Sequence, residues 1–122
     1  MVRPFIESRR GTLLDFGCGT GDQTLLFLDD FDRIVGVDVD TTSIEKFKKT
    51  IASRSLGARL EAIEYDGRTL PLATASIDFA ISFEVLEHVL DERRALEELH
   101  RVLKPGARLA MSVPNRWWVF ET

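Results

Sequence analysis

Glycines at positions 17, 19 and 21 stand in the stretch Asp15-Phe16-Gly17-Cys18-Gly19-Thr20-Gly21-Asp22, directly after the apolar run 12–16. Alternate glycines let a chain turn tightly and approach a ligand that any Cβ would push away. Where such a loop feeds a helix, the N–H groups at the helix start favour a polar or anionic ligand group. A second apolar run, 33–38, closes on Asp38 roughly 20 residues further on, the spacing at which a carboxylate meets ribose hydroxyls. A carboxylate accepts from both hydroxyls of a free diol and repels a phosphate in their place. Asp40 competes for this role, but side chains alternate along an extended segment. Asp38 is therefore preferred, with Val39 beside it. After a third run come Tyr65, Asp66 and Gly67. Here the Asp66 carboxylate can accept from an exocyclic amine while the Gly67 N–H serves a ring nitrogen, a pair of contacts that selects adenine. Together these parts describe an adenosine site.

The pattern G-x-G-x-G departs from the dinucleotide fingerprint G-x-G-x-x-G. Asp22 sits where the following helix should begin. A carboxylate there disfavours a pyrophosphate and tolerates a zwitterionic amino acid, so an NAD-dependent enzyme is the weaker alternative. Further along, Glu84, Glu87 and His88 share one face if their segment is helical. They suggest a base cluster or a divalent-metal site. The metal reading is set aside, and His88 is kept as a candidate catalytic base. Trp117, Trp118 and Phe120 would line a substrate pocket or an interface, the interface being preferred.

Five strand-like runs, 12–16, 33–38, 60–65, 77–82 and 108–113, must position these groups. Three are almost continuously apolar, as strands covered on both faces are. Helical patterns lie between them. A short helix is expected from Asp22 through Leu25, Leu26, Phe27 and Leu28. Thr42 to Glu45 reads as a capping box opening a helix with Ile44, Phe47, Lys48 and Ile51 on one side. In the segment 91–103, Ala95, Leu96, Leu99, Val102 and Leu103 form an apolar face, and Glu92, Arg93, Glu97, Glu98 and Arg101 the polar one. Lys104-Pro105-Gly106 stops it. Such alternation predicts an α/β domain with a parallel sheet, whose ligands bind beyond the carboxyl ends of its strands.

The chain's 122 residues fit one domain spanning 1–122. Sixteen basic residues against 20 acidic ones leave a net charge of −4, which lacks the electrostatic footprint of nucleic-acid binding. No apolar run reaches membrane-spanning length. The lone Cys18 cannot form an intrachain disulfide, which suits a reducing compartment. A soluble, cytoplasmic protein is expected.

The motifs Leu14-Asp-Phe-Gly-Cys-Gly-Thr-Gly21, Val35-Gly-Val-Asp38, Asp66 with Leu70-Pro71-Leu72, Ile77-Asp-Phe-Ala-Ile-Ser82, Glu84-Val-Leu-Glu-His88 and Leu103-Lys-Pro-Gly106 run in one order over nearly the whole chain. In this combination the chain resembles the class I S-adenosylmethionine-dependent methyltransferases, and within them the type 11 methyltransferase domain. The resemblance implies a Rossmann-like, mostly parallel sheet of order 3-2-1-4-5 with helices on both faces. It implies that Gly17, Gly19 and Gly21 pack against the methionine and ribose parts of the cofactor, with Cys18 and Val39 in the same shell. Asp15 would orient the amino group through water, Asp38 would take the ribose, and Asp66 with Gly67 the adenine. The backbone around Ser82 and Phe83 would touch the amino-acid end. A small-molecule acceptor is implied, with S-adenosylhomocysteine as the product. Enzymes of this family act largely by in-line positioning, with a base where the nucleophile needs one. A similar Glu-x-x-Glu-His arrangement occurs in quinone-biosynthesis O-methyltransferases.

The family normally carries helices before the first strand, and a helix and antiparallel hairpin after the fifth. With 11 residues before Thr12 and nine after Val113, the cofactor half is expected without most of the substrate half. The C-terminal hairpin strands would be lacking, and the fifth strand would be an open edge. A homodimer covering that edge together with Trp117 and Trp118 is then expected. A catalytically silent binding or assembly module is the alternative function.

Overall fold

The interior positions of three strands, β1 (Thr12–Phe16), β2 (Arg33–Asp38) and β4 (Ile77–Phe83), are almost continuously buried, as strands covered on both faces are. The computed structural model describes residues 11–83, 92–113 and 116–121. Its sheet also contains β3 (Leu60–Glu64), β5 (Leu103–Val113) and β6 (Arg116–Glu121), in the order β3-β2-β1-β4-β5-β6. The first five strands are parallel and stand in the expected order 3-2-1-4-5. β3 alternates between buried and exposed positions, as an edge strand does.

Both faces of the sheet are covered. On one, α1 (Thr41–Ser53) and a 3-10 turn (Thr24–Phe27) bring Ile44, Phe47, Ile51 and Phe27 onto Leu13, Ile34 and Phe79. On the other, α2 (Glu92–Val102) and Leu70 pack Leu99 and Val102 against Leu14, Val35 and Leu109.

Several local expectations are corrected. The helix anticipated from Asp22 is a single 3-10 turn, Thr24–Phe27. The cap of α1 is Asp40, whose carboxylate accepts from the Ser43 N–H at 3.1 Å and the Ser43 hydroxyl at 2.6 Å; Thr42 and Glu45 form no capping box. A carboxylate two residues earlier caps the helix instead, taking the Ser43 N–H. On α2, Glu98 is only 7% exposed and Leu96 is 43% exposed, the reverse of the faces expected. β5 begins at Leu103, paired with Ile77, and the register then shifts before Arg108 pairs with Phe79.

The largest correction concerns the end of the sheet. β6 runs antiparallel to β5, with Ser112 opposite Trp117 and Met111 opposite Trp118. Aromatic and β-branched residues at 117–120 favour a strand, and only two residues separate β5 from β6, a connection that suits an antiparallel return. The fifth strand is therefore no open edge, and a C-terminal hairpin is present. The expected dimer contact through that edge is excluded, because the chain's own next strand occupies it.

Candidate functional site

Above the carboxyl ends of β1, β2 and β4 the glycine loop is pinned to its neighbour strand. The Gly17 and Cys18 N–H groups both donate to the Val37 carbonyl, at 2.8 and 2.9 Å. Gly21 (φ +90°) lies against the Phe47 ring, where a Cβ would collide. Gly19 (φ +57°) differs, since a Cβ there would meet nothing within 4 Å. Gly21 thus serves internal packing, whereas Gly19 faces open space. The Cys18 side chain turns inward and joins the core beside Phe47. Burial pushes its thiol well above the ordinary range, with the Asp15 and Asp38 charges adding, which disfavours the thiolate.

Asp15 is buried beneath this loop. Its Oδ2 accepts from the Thr24 hydroxyl at 2.5 Å, while its Oδ1 has no hydrogen-bond partner. Burial raises its pKa from 3.8 to about 7 and the Asp38 charge adds, against the Thr24 hydrogen bond. Ser82, beside Phe16 in the β1–β4 register, is also buried with its Oγ unpartnered. Two buried polar atoms without partners at adjoining strand ends need an explanation, because each costs on the order of 1–3 kcal/mol. Phe83 closes this side by packing on Phe27, with ring centroids 6.4 Å apart.

Asp38 spans the gap between β2 and the loop. Its Oδ2 accepts from the Gly19 N–H at 2.8 Å, and its Oδ1 from the Asp40 N–H at 3.0 Å. Each carboxylate oxygen keeps a further lone pair. Asp40 is withdrawn from competition by its capping role. Asp66 lies on the next loop, and its Oδ1 accepts from the Arg68 and Thr69 N–H groups at 2.8 and 2.9 Å. These bonds hold its carboxyl below the usual range. A Cβ at Gly67 would come within van der Waals contact of the exposed Val39 side chain, and the Tyr65 N–H donates to the Asp38 carbonyl at 3.0 Å, so the two loops adjoin. The Tyr65 phenol is raised to about 12, first by burial and then by the charges of both Asp38 and Asp66. Glu84, Glu87 and His88 lie outside the described residues, and so do the side chains of Trp117 and Trp118. Among the described residues no group of three His, Cys, Asp or Glu could hold a metal ion.

Sequence reasoning missed four contributors. Thr24 is a polar residue beside an apolar cluster, and that position was its only signal. Tyr65 stands in the sequence simply as the neighbour of Asp66. Glu98 and Arg101 were assigned to solvent, although an acid and an arginine three apart on a helix are a recognisable pair.

S-adenosylmethionine fits this set: the buried Asp15 Oδ1 beneath the loop lacks a partner, and the space before Gly19 is one a Cβ would fill. Comparisons with known proteins agree. Residues 14–111 match the family described as Methyltransferase domain. An O-methyltransferase of Pyrenophora dematioidea is 38% identical over 82% of this chain and 38% of its own length. A probable S-adenosylmethionine-dependent methyltransferase of Mycolicibacterium smegmatis is 33% identical over 85% of this chain and 38% of its own. The solved structure of the [4+2]-cyclase SpnF is 31% identical, with a TM-score of 0.78, and is matched over 84% of this chain and 39% of that one. The chain thus spans about two-fifths of the length of each. With glycine loop, strand order and sequence match in agreement, this chain belongs to the S-adenosylmethionine-dependent methyltransferase family.

Proposed function

We propose that this chain forms the cofactor-binding core of an enzyme that transfers a methyl group from S-adenosylmethionine to a small-molecule acceptor. The bound cofactor supplies a methyl group on a positively charged sulfur. The chain's residues orient it. Asp38 takes the ribose diol with lone pairs left over from its two backbone bonds, and the Asp66–Gly67 turn reads the adenine edge. Asp15 faces the ammonium group, and Gly19 leaves room for the ribose and methionine chain. Such a site works by holding donor and acceptor in line. By analogy with the O-methyltransferase relative, the acceptor bears a hydroxyl group, and His88 is the proposed base that takes its proton. The reaction belongs in the cytosol, where a lone cysteine stays reduced.

The observation that carries this reading is the Asp38 carboxylate bridging β2 to the Gly19 N–H. Titration calorimetry with S-adenosylhomocysteine tests it. Asp38→Ala should weaken binding about 10- to 100-fold, the loss expected of hydrogen bonds to a charged group, and Asp40→Ala by little. No heat and no thermal shift with the unaltered chain would overturn the assignment. A second reading, a module that binds the cofactor without transferring methyl, is favoured by the similarity to a structure named as a cyclase. Binding without transfer of labelled methyl across a panel of phenols and alcohols would select it.

A further inference from the structure

Arg94, Glu98 and Arg101 stand at i, i+4 and i+7 on α2 and share one stripe. Among the described residues they hydrogen-bond to the loop of residues 66–74, which has no helix or strand to satisfy its backbone. The buried Glu98 accepts the Leu70 N–H at 2.7 Å through Oε1. It also receives Arg101 at both oxygens, Nε at 2.8 Å and Nη2 at 3.0 Å. The other Arg101 hydrogens reach the Leu70 and Leu72 carbonyls at 3.0 Å each and the Thr74 hydroxyl at 3.2 Å. Every guanidinium N–H is engaged. Arg94 donates to the Arg68 carbonyl at 2.8 Å and the Thr69 hydroxyl at 2.9 Å. The backbone N–H groups of those same two residues hold the Asp66 carboxylate.

A sequestered ion pair of this kind adds little net stability compared with apolar packing, so stability alone explains it poorly. Placement explains it better. We infer that Arg94, Glu98 and Arg101 are positioning residues for base selectivity: they act through the 66–74 loop to hold Asp66 and Gly67 against the adenine edge. The inference rests on the cofactor reading above.

Hypoxanthine is the discriminating probe. It presents a carbonyl to the Asp66 carboxylate and an N–H to the Gly67 N–H, so both contacts turn repulsive. A turn held from behind must bear that mismatch. A released turn swings aside, while the ribose and methionine contacts are unaffected.

The test measures affinity for S-adenosylhomocysteine and for S-inosylhomocysteine, its hypoxanthine counterpart, with thermal melts in parallel. The unaltered chain should prefer the adenine compound by about tenfold or more, as sites whose polar groups would be left unpaired do. Arg101→Lys keeps the charge but cannot engage two carbonyls and a carboxylate at once. Arg94→Ala removes a half-exposed side chain and leaves the Glu98–Arg101 pair in place. Either change should bring the preference close to unity while affinity for the hypoxanthine compound is retained. Equal weakening toward both compounds, with the preference intact, would show a merely structural role and overturn the inference. Should Arg101→Lys fail to fold, Arg94→Ala decides alone. Absence of S-adenosylhomocysteine binding by the unaltered chain would instead overturn the cofactor reading itself.

Discussion

Asp15 carries an electrostatic conflict that a cation would resolve. It is fully buried, one oxygen is unpartnered, and burial with the nearby Asp38 charge raises its pKa to about 7. The folded chain therefore binds a proton there more tightly than the unfolded chain does. Between about pH 4 and 7 the folded state holds more protons, so stability falls as pH rises through this window and levels off above it. Asp15→Asn should remove that loss, raising stability at pH 8 by roughly 2–4 kcal/mol in thermal or denaturant melts. Binding of a cationic amino acid group needs the ionised carboxylate. Affinity for S-adenosylhomocysteine should therefore rise with pH through about 7 in the unaltered chain and lose that dependence in Asp15→Asn. A flat affinity profile in the unaltered chain would contradict this placement of Asp15. An acid before the glycines was visible in the sequence, and family likeness implied a role for it toward the amino group. Its perturbed proton affinity was not, because desolvation depends on Thr24, Asp38 and the packed core, which folding brings around it.

Among the elements, the glycine loop separates two uses of the same residue type. A Cβ at Gly21 would strike the Phe47 ring, so Gly21→Ala should lower stability by about 1–3 kcal/mol or more through overpacking and backbone strain. Gly19→Ala meets no protein atom and should cost only about 1 kcal/mol for its positive φ. It should nevertheless weaken S-adenosylhomocysteine binding at least as much as Gly21→Ala does, because the new methyl group enters the space assigned to the ligand. Melting curves and calorimetry on the pair check this. The spacing of the glycines was plain in the sequence, but which faced inward was not, since that follows from α1 laying Phe47 across the loop. Helix α2 teaches a similar lesson. Its periodicity was right, yet Glu98 was placed in solvent, because helical spacing identifies a stripe without revealing that a loop will cover its border. Asp40 lay in plain sight as a cap residue, but the hydroxyl at Thr42 and the acid at Glu45 made a competing local pattern.

At the scale of the whole molecule, β5 is flanked by β4 on one side and β6 on the other. Removing residues 116–122 would leave a long row of unpaired N–H and C=O groups on β5. The shortened chain should melt at a lower temperature and form dimers or larger species in sedimentation to a greater extent than the chain with β6. Equal sedimentation of the two would show that β6 does not protect that edge. The parallel order was readable because apolar runs closed by glycines or acids alternate with helical patterns, and crossovers of that length admit few arrangements. The antiparallel return was overlooked because its aromatic residues read equally well as an uncovered patch.

Residue type and spacing alone determined the α/β class, the glycine loop, the preference for Asp38 and the pairing of Asp66 with Gly67, because these depend on steric and hydrogen-bonding capacities each residue carries locally. Tertiary structure alone decided that Asp15 and Ser82 keep unpartnered atoms, that Cys18 faces the core, and that α2 grips the loop behind Asp66. Burial and charge proximity are properties of the assembled sheet and its layers. They arise only when strands far apart in sequence bring their ends to one rim.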